Sequence, residues 1–180
     1  DGQCLIEDLT ITKTLRGMYK DPTRIAHKVL ADRMKDRDPG SAPQVNDRVP
    51  YVYIIHQDQY KKNNHLLQGD KIENPFYASE KQLKLDYTFY ITNQLMKPLL
   101  QLLALNVENI KDFKKITKRS KEFYIEKEKF LLKEYDGNYK KVYDKLLDFK
   151  QADVKKIIFD PILLTLDNKN KGNREITDFF

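Results

Sequence analysis

Through the middle of this chain, apolar residues recur at intervals of three and four positions, a spacing that favours helices over strands. Asp86 can cap a helix at its N-terminus, and Leu85 and Tyr90 flank that start as a hydrophobic staple does. Pro98 lies inside the pattern and is expected to kink the helix. The predicted buried stripe of this longest helix consists of Tyr87, Ile91, Leu95, Leu99, Leu102 and Leu103.

Residues 107–150 extend the helical pattern. Phe, Tyr and Leu recur among Lys and Glu there and predict two or three amphipathic helices, interrupted at Asp136-Gly137-Asn138. The lysines between Lys111 and Lys150 alternate with acidic residues, so we favour a solvated face for them. Asp160-Pro161 is expected to end a short apolar run, and the polar residues from Asp167 onward predict a flexible tail.

A first, shorter helix is predicted near the N-terminus. Asp21-Pro22 is a good helix start, because Asp accepts an orphan amide hydrogen bond and Pro tolerates the first helical position. Asp38-Pro39-Gly40 suits a type II turn and should end the helix. The apolar face of this helix is predicted to contain Ile25, Ala26, Val29, Leu30 and Met34.

Strands are predicted on either side of this helix. Residues 10–15 alternate β-branched and polar side chains, as a short strand or extended arm does. Residues 50–55 are aromatic and β-branched, and a turn signal at residues 69–72 follows them, so we expect a small sheet around the polar loop 57–64. Asn74-Pro75 marks a further break. The fold class predicted from these patterns is mainly α with a small β element.

Composition narrows the choice of partner. A formal charge of +6 and a pI near 9.1 favour a polyanion, while 33% charged residues and a mean hydropathy of −0.71 imply a lean core. The single cysteine, Cys4, excludes an internal disulfide and a cysteine-based zinc site, which fits a reducing compartment. The sequence has no run of about 18 apolar residues, so we expect no membrane partner.

Four short segments in the first 52 residues carry a family resemblance. They are Leu9-Thr-Ile-Thr-Lys13-Thr-Leu-Arg16, Pro22-Thr-Arg-Ile-Ala-His27, Arg37-Asp-Pro-Gly40 and Asn46-Asp-Arg48-Val-Pro-Tyr51-Val. Together they resemble the palm-to-thumb passage of family B DNA polymerases of the delta type, as found in large DNA viruses of eukaryotes. The resemblance is specific over residues 9–55 and looser over 84–105, and residues 106–168 suggest no family. Because the chain starts at Asp1 and such enzymes are several times longer, we expect a C-terminal piece of a larger protein.

The resemblance implies a domain organisation and a DNA-binding role. Residues 1–20 would end the palm, residues 21–166 would form a helical thumb with a β insertion near 50–73, and residues 167–180 would be a flexible tail. A thumb of this family holds the primer–template duplex through contacts with phosphates and sugars that do not depend on base sequence. The candidate contact residues are Lys13, Arg16, Arg24, His27, Lys28, Arg48 and Tyr51.

Some of these candidates have structural alternatives. His27 is as consistent with helix packing as with a DNA contact, and Tyr51 is better explained as a core residue. Arg33 and Arg37 are as suited to pairing with Asp32, Asp36 or Asp38 as to binding DNA.

Catalysis is expected outside this chain. The metal-binding carboxylate motifs that the family uses for nucleotidyl transfer, and its nucleotide-gripping lysine motif, do not occur in the sequence. The parent enzyme would be a DNA-directed DNA polymerase that uses magnesium and deoxynucleoside triphosphates, and this piece alone would be inactive and contain no cofactor. The family's cellular delta type ends in two cysteine-rich metal modules, which one cysteine cannot form.

The last eight residues resemble the short peptide by which replication proteins bind a sliding clamp. That peptide has a Gln, an aliphatic residue three positions on and two aromatic residues three beyond, which here are Asn173, Ile176, Phe179 and Phe180. One helical turn would place the apolar side chains on one side to fill a pocket. Asn173 replaces the usual Gln and should weaken binding. The alternative is a terminal segment that folds back onto its own core.

Three classes of function therefore remain open. The first is a polymerase segment that binds duplex DNA, and the second is a non-catalytic replication adaptor that binds a sliding clamp through its tail. The third is a basic helical domain with an unrelated protein partner. The first class implies an intracellular location, either the nucleus or a cytoplasmic site of viral replication.

Overall fold

The computed structural model describes residues 5–56, 65–120 and 122–170. It divides into two compact units, Asp1–Tyr90 and Ile91–Phe180. The prediction of a mainly α fold with a small β element is confirmed. The predicted polar loop 57–64 lies outside the described residues.

In the described part of the first unit, three strands form one antiparallel sheet in the order β1-β2-β3. They are β1 (Ile11–Thr14), β2 (Arg48–Tyr53) and β3 (Ile72–Glu73). In the register between β1 and β2, Lys13 pairs with Val49 and Thr14 with Arg48. The predicted strands in residues 10–15 and 50–55 are thereby confirmed.

The helix that packs on this sheet is α1 (Ala26–Arg37). Its residues Leu30 and Ala31 are buried against Leu15, Val49 and Ile72. The predicted apolar face is confirmed at Leu30 and at Ala26 and Met34, which pack against the same cluster, and Ala31 lies outside that prediction. The helix starts later than the sequence predicts, because residues 22–24 form a 3₁₀ turn, which the Asp21 carboxylate caps by accepting from the Thr23 N–H at 3.2 Å. Apolar burial on one helix face is the main contribution to its stability.

The end of α1 at Arg37 is as predicted, but the turn that follows is not type II. A type II turn needs a positive φ at its third residue, and Gly40 does not have one. Instead, Pro39–Ser41 forms a 3₁₀ turn, and the Asp38 carboxylate accepts a hydrogen bond from the Gly40 N–H at 3.0 Å. The Asp side chain therefore stabilises a tighter turn that makes no demand on the glycine.

Another short helix, α2 (Pro75–Glu80), begins at the predicted break. The Asn74 side chain caps it by accepting from the backbone N–H groups of Phe76 and Tyr77. Upstream, the 3₁₀ turn Gln68–Lys71 approaches α1 so closely that a Cβ on Gly69 would lie 2.8 Å from the Cβ of Val29. Glycine is required at this position because the turn and the helix pack directly against each other.

Glu73 on β3 fixes the position of α1. Its side chain is buried, and it accepts two hydrogen bonds from the Arg37 guanidinium, at 3.1 and 2.8 Å. Arg33 Nε lies 3.6 Å from the same carboxylate, and Arg33 Nη2 donates to the carbonyl of Ile72 at 2.6 Å. The Arg37 guanidinium also stacks 3.8 Å from the ring centre of Tyr77. A bidentate charged pair at this depth determines the position of the helix on the sheet.

The chain around Asp86 contains α3 (Tyr87–Tyr90), a π-helical turn (Ile91–Leu95) and α4 (Met96–Ala104). Asp86 caps α3 as predicted, by accepting from the Phe89 N–H at 2.9 Å. The predicted buried stripe is wrong at four positions. Tyr87, Leu95, Leu99 and Leu102 are exposed.

Ile91 and Leu103 from that stripe do pack against the core of the second unit, together with Met96 and Leu100, which the stripe omitted. The π-helical turn explains the difference at Leu95, Leu99 and Leu102, which lie in it or after it, but not at Tyr87, which precedes it. One extra residue in a helical turn rotates all later residues by about 100°, so a stripe extrapolated at α-helical spacing moves off the buried face.

The second unit consists of helices around one core. They are α4, α5 (Phe113–Thr117), α6 (Glu122–Glu134), α7 (Tyr139–Val154) and α8 (Asp160–Asn170), with a π-helical turn (Lys155–Phe159) between α7 and α8. The predicted interruption at residues 136–138 is confirmed, since Asp136 and Gly137 have φ values of 47° and 74° and separate α6 from α7. The buried core contains Ala104, Val107, Phe113, Tyr124, Val154 and Phe159.

Both prolines within the long helices of this unit follow a π-helical turn. Proline has no N–H to donate, and its ring clashes with the carbonyl four residues earlier. The carbonyl that Pro98 would clash with belongs to Gln94, and the one that Pro161 would clash with belongs to Ile157. Gln94 and Ile157 both lie within π-helical turns. The helix widens there and continues, so Asp160-Pro161, which is expected to end a short apolar run, lies within continuous helix. Because α8 extends to Asn170, the tail predicted from Asp167 is helical over its first four residues.

We expect Glu73→Gln to destabilise the first unit by about 2–3 kcal/mol, because it leaves two arginines without a buried counter-charge. This value is at the low end for a broken buried pair, since the Arg33 and Arg37 side chains are 30% and 33% exposed. Urea unfolding followed by tyrosine fluorescence measures the change. The control is Glu80→Gln, which removes an exposed carboxylate next to Lys81 and should cost about 0–0.5 kcal/mol. Equal effects of the two substitutions would contradict this role of Glu73.

Candidate nucleic-acid interface

Three of the seven candidate DNA-binding residues meet at the junction between β1 and α1. Lys13 lies on β1 and Arg16 follows the strand, and both are exposed. His27 lies in the first turn of α1 and is partly buried. Both cations lie close enough to His27 to disfavour its protonation. The structure therefore brings two exposed positive charges and one imidazole to the same place.

Tyr19 connects the two sides of this junction. Its hydroxyl accepts a hydrogen bond from the backbone N–H of Arg16 at 2.7 Å and lies 3.0 Å from His27 Nε2. The rings of Tyr19 and His27 pack edge to face, with centroids 5.8 Å apart. The segment that carries Arg16 is thus tied to α1, which restricts the positions that the Arg16 side chain can reach.

Burial is the largest cause of a lowered pKa at His27, and the charges of Lys13 and Arg16 lower it further. A hydrogen bond with the backbone of Thr14 partly opposes these effects. A neutral imidazole leaves Nε2 free to accept from the Tyr19 hydroxyl. His27 consequently acts in this geometry as a structural connection between β1 and α1, and the exposed charge of the junction comes from Lys13 and Arg16.

Arg24 and Lys28 each have an acidic neighbour. Arg24 Nε lies 3.2 Å from Asp21, and the Arg24 side chain is 79% exposed. Lys28 pairs with Asp32, one helical turn further along α1. Surface pairs of this kind contribute at most about 1 kcal/mol, so a phosphate can compete with the carboxylate for the cation. These two residues are accessible, but their charge is partly neutralised within the protein.

The two candidates on β2 lie apart from the junction. Strand alternation places Arg48 and Thr12 on the face of the sheet opposite Tyr51, Val49 and Lys13. Arg48 is exposed and donates to the Thr12 hydroxyl from Nε at 3.0 Å and from Nη2 at 2.6 Å. Tyr51 is only 6% exposed and packs in the core, which supports its structural interpretation. The seven candidates therefore do not form one continuous surface.

Sequence reasoning did not find the partner of the two arginines on α1. The sequence offers nearby aspartates and DNA as equally suitable partners of Arg33 and Arg37, whereas both arginines bind Glu73, which is 40 and 36 residues away in the chain. No local pattern signals such a pair. A Glu in an otherwise apolar strand next to a turn is the one indication that the sequence offers.

Neither a metal centre nor a membrane segment is found in the part of the chain that the structure describes. Within residues 5–56, 65–120 and 122–170, no three His, Cys, Asp or Glu side chains are grouped so as to hold a metal ion. Over the same residues, no helix is both long enough and apolar enough to cross a membrane. The candidate clamp-binding residues Asn173, Ile176, Phe179 and Phe180 lie outside the described residues.

Comparison with known proteins gives one family match. The sequence model of the family described as DNA polymerase family B matches residues 1–106, which is more than half of the chain. That range includes both segments on which the sequence resemblance rests, 9–55 and 84–105.

Individual relatives agree with the family match. A DNA polymerase of Pyramimonas orientalis virus is 57% identical over 181 residues, which cover 100% of this chain and 14% of that protein. A DNA polymerase of Acanthamoeba polyphaga mimivirus is 47% identical over 115 residues, which cover 64% of this chain and 7% of that protein. The DNA polymerase delta catalytic subunit of Drosophila melanogaster is 42% identical over 97 residues, 54% of this chain and 8% of that protein. The chain thus spans a small part of the length of each relative.

We expect the wild-type chain to lose more stability than a His27→Gln variant when the pH falls from 7.5 to 5.5. The pKa of His27 in the folded chain is below its ordinary value of 6.5. The unfolded chain therefore binds the proton first, and stability that is complete above pH 6.5 declines as the pH falls below it. Thermal unfolding at a series of pH values measures the difference. Parallel pH profiles for the two proteins would show that His27 is not held neutral at the junction.

Proposed function

Because this chain belongs to the family B DNA polymerases, we propose that it works as part of a DNA-directed DNA polymerase and holds the primer–template duplex. The observation that carries the proposal is the junction of β1 and α1, where the exposed side chains of Lys13 and Arg16 lie beside His27. No ion pair among the described residues involves either cation. Both charges can therefore approach phosphates without first leaving an intramolecular partner.

The proposed contacts are independent of base sequence. Lys and Arg that neutralise phosphates give affinity without reading bases, and a replicating enzyme must move along its duplex. Lys13 and Arg16 are the principal contacts, and Arg24 and Lys28 add to them when phosphate displaces Asp21 and Asp32. Arg48 would contact DNA from the other face of the sheet. The structural roles of Tyr51 and His27 make both secondary in this proposal.

Nucleotide addition is assigned to the rest of the parent enzyme. The parent would add deoxynucleotides from their triphosphates to a primer end, using magnesium ions bound to carboxylates outside this chain. The side chains described in this chain do not fit a metal site, and none is assigned to it. We expect the 180-residue chain alone to be inactive in nucleotidyl transfer, and the parent to act inside the cell, in the nucleus or at a cytoplasmic site of viral replication.

The tail adds a second partner to the proposal. The spacing of Asn173, Ile176, Phe179 and Phe180 resembles that of clamp-binding peptides, so we propose that the tail recruits a sliding clamp and supports processive replication. An apolar side chain that enters a pocket contributes most of the affinity of such a peptide. This part of the proposal is supported by the sequence pattern alone.

Binding of the 180-residue chain to primer–template DNA across a salt series tests the DNA contacts. Joint replacement of Lys13, Arg16 and Lys28 by Ala should weaken binding and lower the slope of log K against log salt by about 0.9 for each phosphate that is no longer neutralised. The matched control is the joint Ala replacement of Lys35, Lys81 and Lys84, three exposed lysines of the same unit. If both triple variants lose the same affinity, the binding site is not at the junction. If neither changes, the chain does not hold DNA with this unit.

Binding of the full 180-residue chain to a purified sliding clamp, measured by titration calorimetry, tests the tail. Joint replacement of Phe179 and Phe180 by Ala should weaken binding at least tenfold, because both pocket-filling rings are removed. Asn173→Gln should strengthen binding, because one more methylene lets the amide reach the partner that the usual Gln contacts. A clamp that binds wild-type and double-Ala chains equally would exclude recruitment by this peptide.

A further inference from the structure

The positive charge of this protein is concentrated in the second unit. Residues 1–90 contain 14 Lys and Arg against 13 Asp and Glu, a net charge of +1. Residues 91–180 contain 19 Lys and Arg against 14 Asp and Glu, a net charge of +5. The candidate contacts chosen from the sequence all lie in the first unit, so the larger part of the attraction for a polyanion is unassigned.

Residues 111–118, which we name the lysine turn, carry most of this excess. Lys111, Lys114, Lys115 and Lys118 are all exposed, and Asp112 is the one acidic residue in the segment. No ion pair among the residues that the structure describes involves any of the four lysines. They differ in this respect from Arg24 and Lys28, whose charges are engaged by aspartates.

The lysine turn is anchored to the core of the second unit. Its helix, α5, buries Phe113 and Thr117, which are 3% and 8% exposed and one helical turn apart. This leaves Lys114 and Lys115 on the outside of the helix. Asp112 and Lys118 bound the helix with φ values of 62° and 59°, so the chain turns sharply at both ends. The buried Phe113 and Thr117 therefore anchor the backbone that presents the lysines.

A buried polar network fixes the end of the lysine turn. The next residue, Arg119, pairs with Asp153 of α7, and the Tyr124 hydroxyl donates to the same carboxylate. Asp153 is 5% exposed, so its carboxylate is shielded from water, while the Arg119 side chain is 30% exposed. The Arg119 guanidinium also stacks 4.4 Å from the ring centre of Phe123. Arg119 thus has a structural role and, unlike the four exposed lysines, is not assigned to ligand binding.

We propose that the lysine turn is a second phosphate-binding element, which contacts the sugar–phosphate backbone of duplex DNA. The inference rests on the proposed function in one respect, that DNA is the polyanion. Its site is separate: the lysine turn lies beyond residue 106, where the family match ends, and in the other unit. Four charges on an anchored turn lose less side-chain and backbone freedom on binding than four charges on an unstructured segment.

The lysines of α6 fit this role less well. On α6, Lys127 and Lys129 alternate with Glu126 and Glu128, so the local field nearly cancels. Lys127 also lies over the rings of Phe130 and Phe149, at 5.0 and 4.5 Å from their centres. Exposed lysines of α6 and α7 supply a control variant that changes the net charge by the same amount as the lysine-turn variant.

The test is DNA binding by the 180-residue chain in which Lys114, Lys115 and Lys118 are replaced jointly by Ala. The control is the joint Ala replacement of Lys129, Lys140 and Lys141, which are exposed on α6 and α7 and change the net charge equally. Circular dichroism and thermal unfolding establish that both variants are folded. We expect the lysine-turn variant to bind primer–template DNA at least tenfold more weakly at about 100 mM salt, with a salt slope lower by about 0.9 per lysine, and the control to change less than about threefold.

Each result has a distinct meaning. Equal losses of affinity in the two variants would overturn the inference, because total charge and not the lysine turn would then set affinity. Tighter binding to phosphatidylserine vesicles than to DNA, abolished by the same replacements, would also overturn it in favour of a membrane surface. A loss of affinity confined to the lysine-turn variant supports it, even if replacement of Lys13, Arg16 and Lys28 has no effect and the proposed role of the first unit fails.

Discussion

The buried carboxylate of Glu73 is the interaction on which the first unit depends. It accepts from Arg37 and lies next to Arg33, and both arginines project from α1, whereas Glu73 lies on β3. The cost of burying this charge is offset only while both guanidinium groups face it, so the pair permits one placement of the helix on the sheet. His27 is at the other end of α1, and its contact with Tyr19 therefore depends on the same placement. The candidate DNA contacts are positioned by an ion pair that is remote from them.

The sequence allowed local features to be predicted where one or two residues decide them. Asp21 and Asp86 cap helical turns because their side chains accept hydrogen bonds that the first turn leaves unsatisfied. The residues of β1 and β2 alternate as a half-buried strand requires, and Gly137 has the positive φ that its place between helices suggests. Such features need no knowledge of distant parts of the chain.

Features that depend on distant residues were not predictable. The partner of Arg33 and Arg37 is 36 or more residues away, and its choice depends on how β3 meets α1. Which residues of α4 face the core depends on one extra residue in a π-helical turn, and no periodicity in the sequence reveals that residue. At Pro161 the local preference of proline is to end a helix, but the widened turn before it lets the helix continue. In each case tertiary packing overrides a correct local preference.

Lysine acetylation footprinting shows whether duplex DNA lies against the exposed cations of the β1–α1 junction. The chain is treated with an acetylating reagent with and without primer–template DNA, and mass spectrometry measures the modification of each lysine. We expect DNA to protect Lys13 and Lys28, while Lys35 and Lys84, two exposed lysines elsewhere in the first unit, react as in the free chain. Protection that is equal at all four lysines, or absent at Lys13, would contradict this expectation.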